Sequence, residues 1–171
     1  MTGARTHWGH IGLVIGIALA VRLVAAVVID RQVSRTPGQI CLIEGDAAGY
    51  WELGRKIASG EDYVLYNPPR WVLRMPGFPA VLAVSHWLCG DSLFAARCWL
   101  ALIGSMACGL TYRLGCEVTS DGVALLAGVA TALSPPLVAF SPLLLSETTF
   151  AATLTANLLV LAWLVRSVPA V

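Results

Sequence analysis

From about His10 to Ile29 the chain runs apolar with a single charged residue, Arg22. At about 1.5 Å of rise per residue, a helix of that length crosses ~30 Å of hydrocarbon. In lipid the backbone must satisfy its own hydrogen bonds, and a helix does this within one segment. The run is therefore read as a spanning helix. A secretory signal peptide, suggested by Arg5 just before it, fits less well, because the run is long and no clean small-residue cleavage site follows.

Composition agrees. Of 171 residues, 57% are hydrophobic and 12% charged, with a mean hydropathy of +0.75, outside the ordinary range for a water-soluble domain. The charges gather between Asp30 and Arg74, which marks a solvent-facing insert. A net charge of +1 and the lack of a basic stripe exclude a nucleic-acid partner. Of the five cysteines, Cys89, Cys98, Cys108 and Cys116 lie in or beside apolar segments and Cys41 stands in the insert. Without a CxxC pair they suggest neither a disulfide framework nor a thiolate metal centre.

The expected architecture is all-α: a polytopic transmembrane protein with about four spanning helices, near 10–29, 93–114, 122–140 and 147–165. Residues 30–92 form the first external loop, with turn signals at Thr36-Pro37-Gly38 and Tyr66-Asn67-Pro68-Pro69. Inside it, residues 46–58 read as a short amphipathic helix lying along the membrane surface. Asp46, Tyr50, Leu53, Gly54, Ile57 and Ala58 fall on its apolar arc, opposite Glu52, Arg55 and Lys56. Pro76-Gly77-Phe78-Pro79 breaks the chain, and Ala80 to Cys89 is too short to span, which suggests a second interfacial or re-entrant helix. The third span is expected to close at Ser134-Pro135-Pro136 or shortly beyond. With the N-terminus inside, Arg5, Arg113 and Arg166 are cytoplasmic and residues 30–92 and 141–146 share the outer side.

Two acids then face one side. Asp46 lies on the apolar arc of its helix, where desolvation raises a carboxylate's basicity toward useful proton transfer. Capping of the helix N-terminus is the competing role. Glu147 opens the last span after Ser141-Pro142-Leu143-Leu144-Leu145-Ser146. Ser146 can cap that helix and Glu147 complements its dipole, yet an acid bordered by apolar sequence also needs a polar cavity or a cation. Arg74 and Arg97 are the available cations, and either could hold a phosphate. Arg22, inside the first span, snorkels to an interface or faces protein interior. His7, His10 and His86 form no spaced metal set, and HExxH, GxSxG and Walker-type patterns are absent.

Three segments in order carry a resemblance: Asp46-Ala-Ala-Gly-Tyr50-Trp-Glu-Leu-Gly54-Arg-Lys-Ile-Ala58-Ser-Gly60, then Arg74-Met-Pro76-Gly77-Phe-Pro79, then Leu143-Leu-Leu-Ser-Glu147-Thr-Thr-Phe150. Following an Arg-containing first span, this order resembles the membrane-embedded GT-C glycosyltransferases, in particular the dolichyl-phosphate-mannose protein mannosyltransferase and aminoarabinose transferase-like group. The resemblance implies transfer of a sugar from a polyprenyl-phosphate donor to a protein, lipid or glycan acceptor at the outer face, with inversion at the anomeric carbon. It implies Asp46 as the base on the acceptor hydroxyl and Glu147 as a second catalytic-site acid. Tyr50, Arg74 and Arg97 become substrate-binding candidates, the arginines at the leaving phosphate. No cofactor is firmly implied. A divalent metal is possible, although Met75 stands where some members carry a metal-binding acid. The implied location is the plasma (inner) membrane of a bacterium. Members of the group have further spans, so the chain is expected to be an N-terminal portion. A non-catalytic membrane scaffold and a transporter subunit are the competing readings.

Overall fold

A computed structural model describes residues 8–35, 45–66, 68 and 74–167. The Thr36-Pro37-Gly38 turn, Cys41, Asn67 and Pro69 lie outside the described residues. Seven helices and no strand occur among those described: α1 Trp8–Val33, α2 Asp46–Ser59, α3 Gly77–Cys89, α4 Leu93–Val118, α5 Asp121–Leu133, α6 Pro135–Phe140 and α7 Glu147–Ser167. Helices α1, α4 and α7 are long and apolar enough to cross a membrane, as expected of an integral membrane protein.

Helix α4 is the central post, with α1, α5 and α7 packed around it. Without a hydrophobic drive between helices in lipid, close approach through small residues supplies the contact. At Gly109 an added Cβ would lie 2.8 Å from the Ile15 side chain, so α1 sits directly on the α4 backbone. Val14, Ala18, Cys108, Tyr112, Ala124 and Ala132 form the buried seam of α1, α4 and α5. A second cluster, Ala47, Trp51, Phe78, Leu82, Ala96, Leu100 and Leu144, seats α2 and α3 on the upper part of α4.

The segment expected as a third span, 122–140, is two helices rather than one. Helix α5 has 13 residues and stops at Leu133; α6 has 6 and starts at Pro135. The cause is local. Pro135 and Pro136 carry no N–H, so the carbonyls of Thr131 and Ala132 lose their partners four residues on. Ser134, forced out of the helical region as the residue before a proline, adopts φ −62° and ψ 117°. Its amide closes α5 on Thr131 O at 3.4 Å. Arg22 takes the other orphan: its guanidinium, on the neighbouring α1, donates to Ala132 O at 3.3 Å and to Leu137 O at 3.5 Å. Arg22 is 2% exposed, so it faces protein interior and does not snorkel.

Helix α3 starts at Gly77, three residues earlier than expected. Pro79 falls in its first turn, where a missing amide leaves no bond unmade. Helix α2 matches its expected span closely and its expected face in part, with Leu53 and Gly54 buried but Asp46, Tyr50, Ile57 and Ala58 not. Its buried residues are Ala47, Trp51, Leu53 and Gly54, turned toward α3, with the Trp51 ring 3.9 Å from that of His86. Asp46 is therefore not on the buried side; its side chain is 70% exposed. Gly60 ends α2 at φ 73°, and Glu61 N donates to Lys56 O at 2.9 Å, a Schellman closure that needs the left-handed residue.

Candidate active site

A cleft of about 880 Å³ opens where α2, the start of α3 and the start of α7 meet. Asp46, Tyr50, Arg74 and Glu147 all line it, although Glu147 lies far along the chain from the others. Phe78, Phe150 and Met75 provide apolar walls, and Thr149 and Thr153 continue a polar strip down α7.

Asp46 is the first residue of α2, and Gly45 occupies the N-cap without a side-chain hydrogen bond. The carboxylate is held elsewhere: Arg74 Nη1 lies 2.8 Å from Asp46 Oδ1. The same guanidinium donates to Asp46 O at 3.1 Å and to Gly45 O at 3.0 Å, so it also satisfies carbonyls beside the helix start. Its Cζ sits 4.6 Å from the centroid of the Tyr50 ring, within cation–π range. Tyr50 in turn meets Phe78 edge to face at 5.0 Å.

Gly49 is what admits this arrangement. An added Cβ there would lie 2.9 Å from Arg74 Cζ and Nε, so any larger residue pushes the guanidinium off α2. Arg74 Nε is buried without a hydrogen-bond partner, which leaves one donor unspent. Behind it, Tyr63 donates to Arg74 O at 3.1 Å and ties the segment down. Burial pushes the Tyr63 phenol above its ordinary value, with a further rise from Tyr50, against a lowering by Arg74.

Glu147 opens α7 and is exposed to the cleft. The Ser146 hydroxyl lies 3.5 Å from Glu147 Oε2, and the acid sits at the helix end where the dipole favours it. Among the described residues no ion pair joins Glu147 to Arg74 or Arg97. The loop before it is unusually constrained. Leu144 has φ 56°, a conformation a leucine adopts only under constraint, and is 1% exposed in the cluster with Trp51 and Leu100. Leu145 N donates to Phe140 O at 3.1 Å, closing the turn.

Arg97 is not among the lining residues. It is 1% exposed, ion-paired with Asp30 at the end of α1, and its Nε donates to Pro142 O at 3.2 Å. Its place is beneath the loop that carries Glu147. The other end of the bundle holds a cluster that sequence reading did not single out. There Glu117 faces Arg113 at 2.5 Å, pairs with Arg166, and accepts from Trp163 Nε1 at 3.2 Å. Thr149 and Thr153 were also missed, although their spacing of four on the turns after Glu147 places them on one face.

Among the described residues no group of three or more His, Cys, Asp or Glu side chains is placed to hold a metal ion. Comparison of the chain with known protein families, with curated proteins and with solved structures finds no match in any of the three.

Proposed function

We propose that the chain belongs to a membrane-embedded glycosyltransferase of GT-C type that moves a sugar from a polyprenyl-phosphate donor to a hydroxyl acceptor. The observation that carries this reading is the shared cleft, in which two carboxylates, an arginine and a tyrosine from separate segments meet beside the apolar helix ends. Asp46, exposed and held by Arg74, is positioned to accept the proton of an acceptor hydroxyl. The acceptor oxygen then bonds to the anomeric carbon from the face opposite the leaving group. The bond from that carbon to the phosphate oxygen breaks, and its electron pair leaves with the lipid phosphate. Arg74, which lines the same cleft, neutralises the charge that develops there. Glu147 orients the acceptor across the cleft. The outer face of a bacterial inner membrane is the proposed location, and acceptors are a protein, a lipid or a glycan.

One observation favours a non-catalytic scaffold instead: the Asp46–Arg74 pair also joins α2 to the chain leading into α3, a structural task sufficient in itself. Transfer of radiolabelled sugar from polyprenyl-phosphate donors separates the two. In membranes expressing the full reading frame, the glycosyltransferase reading expects transfer that Asp46→Asn reduces by about 10²–10⁴-fold, the usual worth of a general base. Equal transfer by the variant removes Asp46 from the chemistry, and no transfer above control membranes from any donor favours the scaffold.

A further inference from the structure

Asn157 is the middle residue of α7, Glu147–Ser167, and its side chain is exposed. One amide hydrogen goes back to Thr153 O at 2.8 Å; among the described residues Oδ1 and the second N–H have no partner. Thr153, also exposed, spends its only donor on Thr149 O, but a carboxamide cannot satisfy itself within its own helix. In hydrocarbon, with no water at hand, the open donor and acceptor are costly unless another helix supplies their counterparts. Helix α1 makes the contrast: its exposed residues between Gly12 and Val28 are all apolar or glycine, a face suited to lipid.

The residues around Asn157 form a pattern. Phe150, Leu154, Asn157, Leu161 and Leu164 follow at spacings of four, three, four and three, the period of about 3.5 residues that belongs to a left-handed helix pair. All five are exposed, the four apolar ones by 67, 46, 55 and 58%. At about 100° per residue this seam is centred opposite Thr148 and Leu159, the residues α7 buries. Packing on α4 therefore leaves the seam untouched from Phe150, beside the cleft, to Leu164. That is a length of about 21 Å, most of the hydrocarbon thickness.

We infer that this seam pairs with the α7 seam of a second copy of the chain. Copies inserted in one orientation are related by a two-fold axis along the membrane normal, so each seam residue meets its own counterpart. Asn157 then faces Asn157, and a carboxamide has both the donor and the acceptor that its counterpart requires. A lone acid or base at that position could not answer itself. One polar residue in an otherwise apolar seam also fixes the register, because a slip of one heptad sets the amide against Phe150 or Leu164.

Fluorescence energy transfer between donor- and acceptor-labelled copies of the full chain, in phosphatidylcholine vesicles at falling protein-to-lipid ratio, reads the pairing. Asn157 is exposed, so its replacement leaves the fold of the single copy intact. Asn157→Leu is expected to raise the protein density at half-association by about 3–30-fold, the range of an interhelical hydrogen bond in a membrane. Asn157→Gln, which keeps donor and acceptor, is expected to stay within about threefold of the natural chain. Oxidation tests the geometry. Leu161→Cys is expected to give a copy-to-copy disulfide that the natural chain does not form, whereas Val160→Cys, exposed but to the side of the seam, gives none. Energy transfer no greater than random proximity produces, a midpoint unmoved by Asn157→Leu, or equal crosslinking at 160 and 161 overturns the inference and leaves this face to lipid or to an unrelated helix.

Discussion

The two ends of the bundle treat their acids in opposite ways. At one end Glu117 is 4% exposed and is enclosed by Arg113, Arg166 and Trp163. Tyr112 donates to Asp121 at 2.5 Å beside it, with the His10 ring close by. At the other end Asp46 is 70% exposed and Glu147 is open to a cleft large enough for a sugar headgroup. A carboxylate surrounded by donors has no capacity left for a ligand, and its charge holds helices together. An accessible carboxylate beside an arginine keeps capacity to react. The first end is built as a clasp between α4 and α7, and the second leaves its acids open to a cleft.

Breaking the clasp has the largest expected effect on stability. Glu117→Ala leaves Arg113 and Arg166 facing each other; because Arg166 is 57% exposed, the loss falls at about 2–3 kcal/mol, below that of a fully buried pair. Thermal unfolding in detergent measures it. A loss under ~0.5 kcal/mol would mean that the two ends do not differ in kind.

Gly49→Ala sharpens the contrast at the open end. Alanine improves helix propensity by about 1 kcal/mol while its Cβ displaces Arg74, so net stability is expected to stay within ~1 kcal/mol. The displaced guanidinium is expected to react faster with phenylglyoxal, read by peptide mass spectrometry at Arg74. Unchanged labelling would show that Arg74 does not lie against Gly49.

The smallest effect concerns the surface of α2. Glu61 is held below the usual carboxylate range, first by its hydrogen bond from Arg55 and then by Ser59. A depressed acid stabilises the fold above its ordinary value, and that contribution disappears as pH falls through the depressed one. A ¹³C carboxyl titration of Glu61 is expected to show the low midpoint, and Arg55→Met to raise it, with the Ser59 bond left in place. Over the same acidic window the stability gap between the natural chain and Glu61→Gln closes. A midpoint unmoved by Arg55→Met would contradict this assignment.

Much of the frame was legible in the residues. Unbroken apolar runs announce α1, α4 and α7, and Asp46 and Gly60 bracket α2 through first-turn charge and a left-handed closure. The motifs around Asp46, Arg74 and Glu147 also point to residues that share one cleft. What stayed hidden depends on neighbours distant in sequence. The face of α2 is set by Leu82 and His86 on α3, so the helical wheel alone put Asp46 on the wrong arc. The proline pair marks a break, but the donors to the carbonyls of Ala132 and Leu137 come from Arg22, reaching across from α1. Likewise Arg97 and Glu117 acquire their tasks from partners on other helices, which no spacing rule within a segment reveals.

The most direct test of the division between the ends is sugar transfer per folded molecule, measured in the same membranes for Asp46→Asn and Glu117→Gln. The account predicts that Asp46→Asn keeps its folded protein and loses transfer, whereas Glu117→Gln loses folded protein while each surviving molecule transfers normally. Transfer by Asp46→Asn at the natural rate per folded molecule would contradict it.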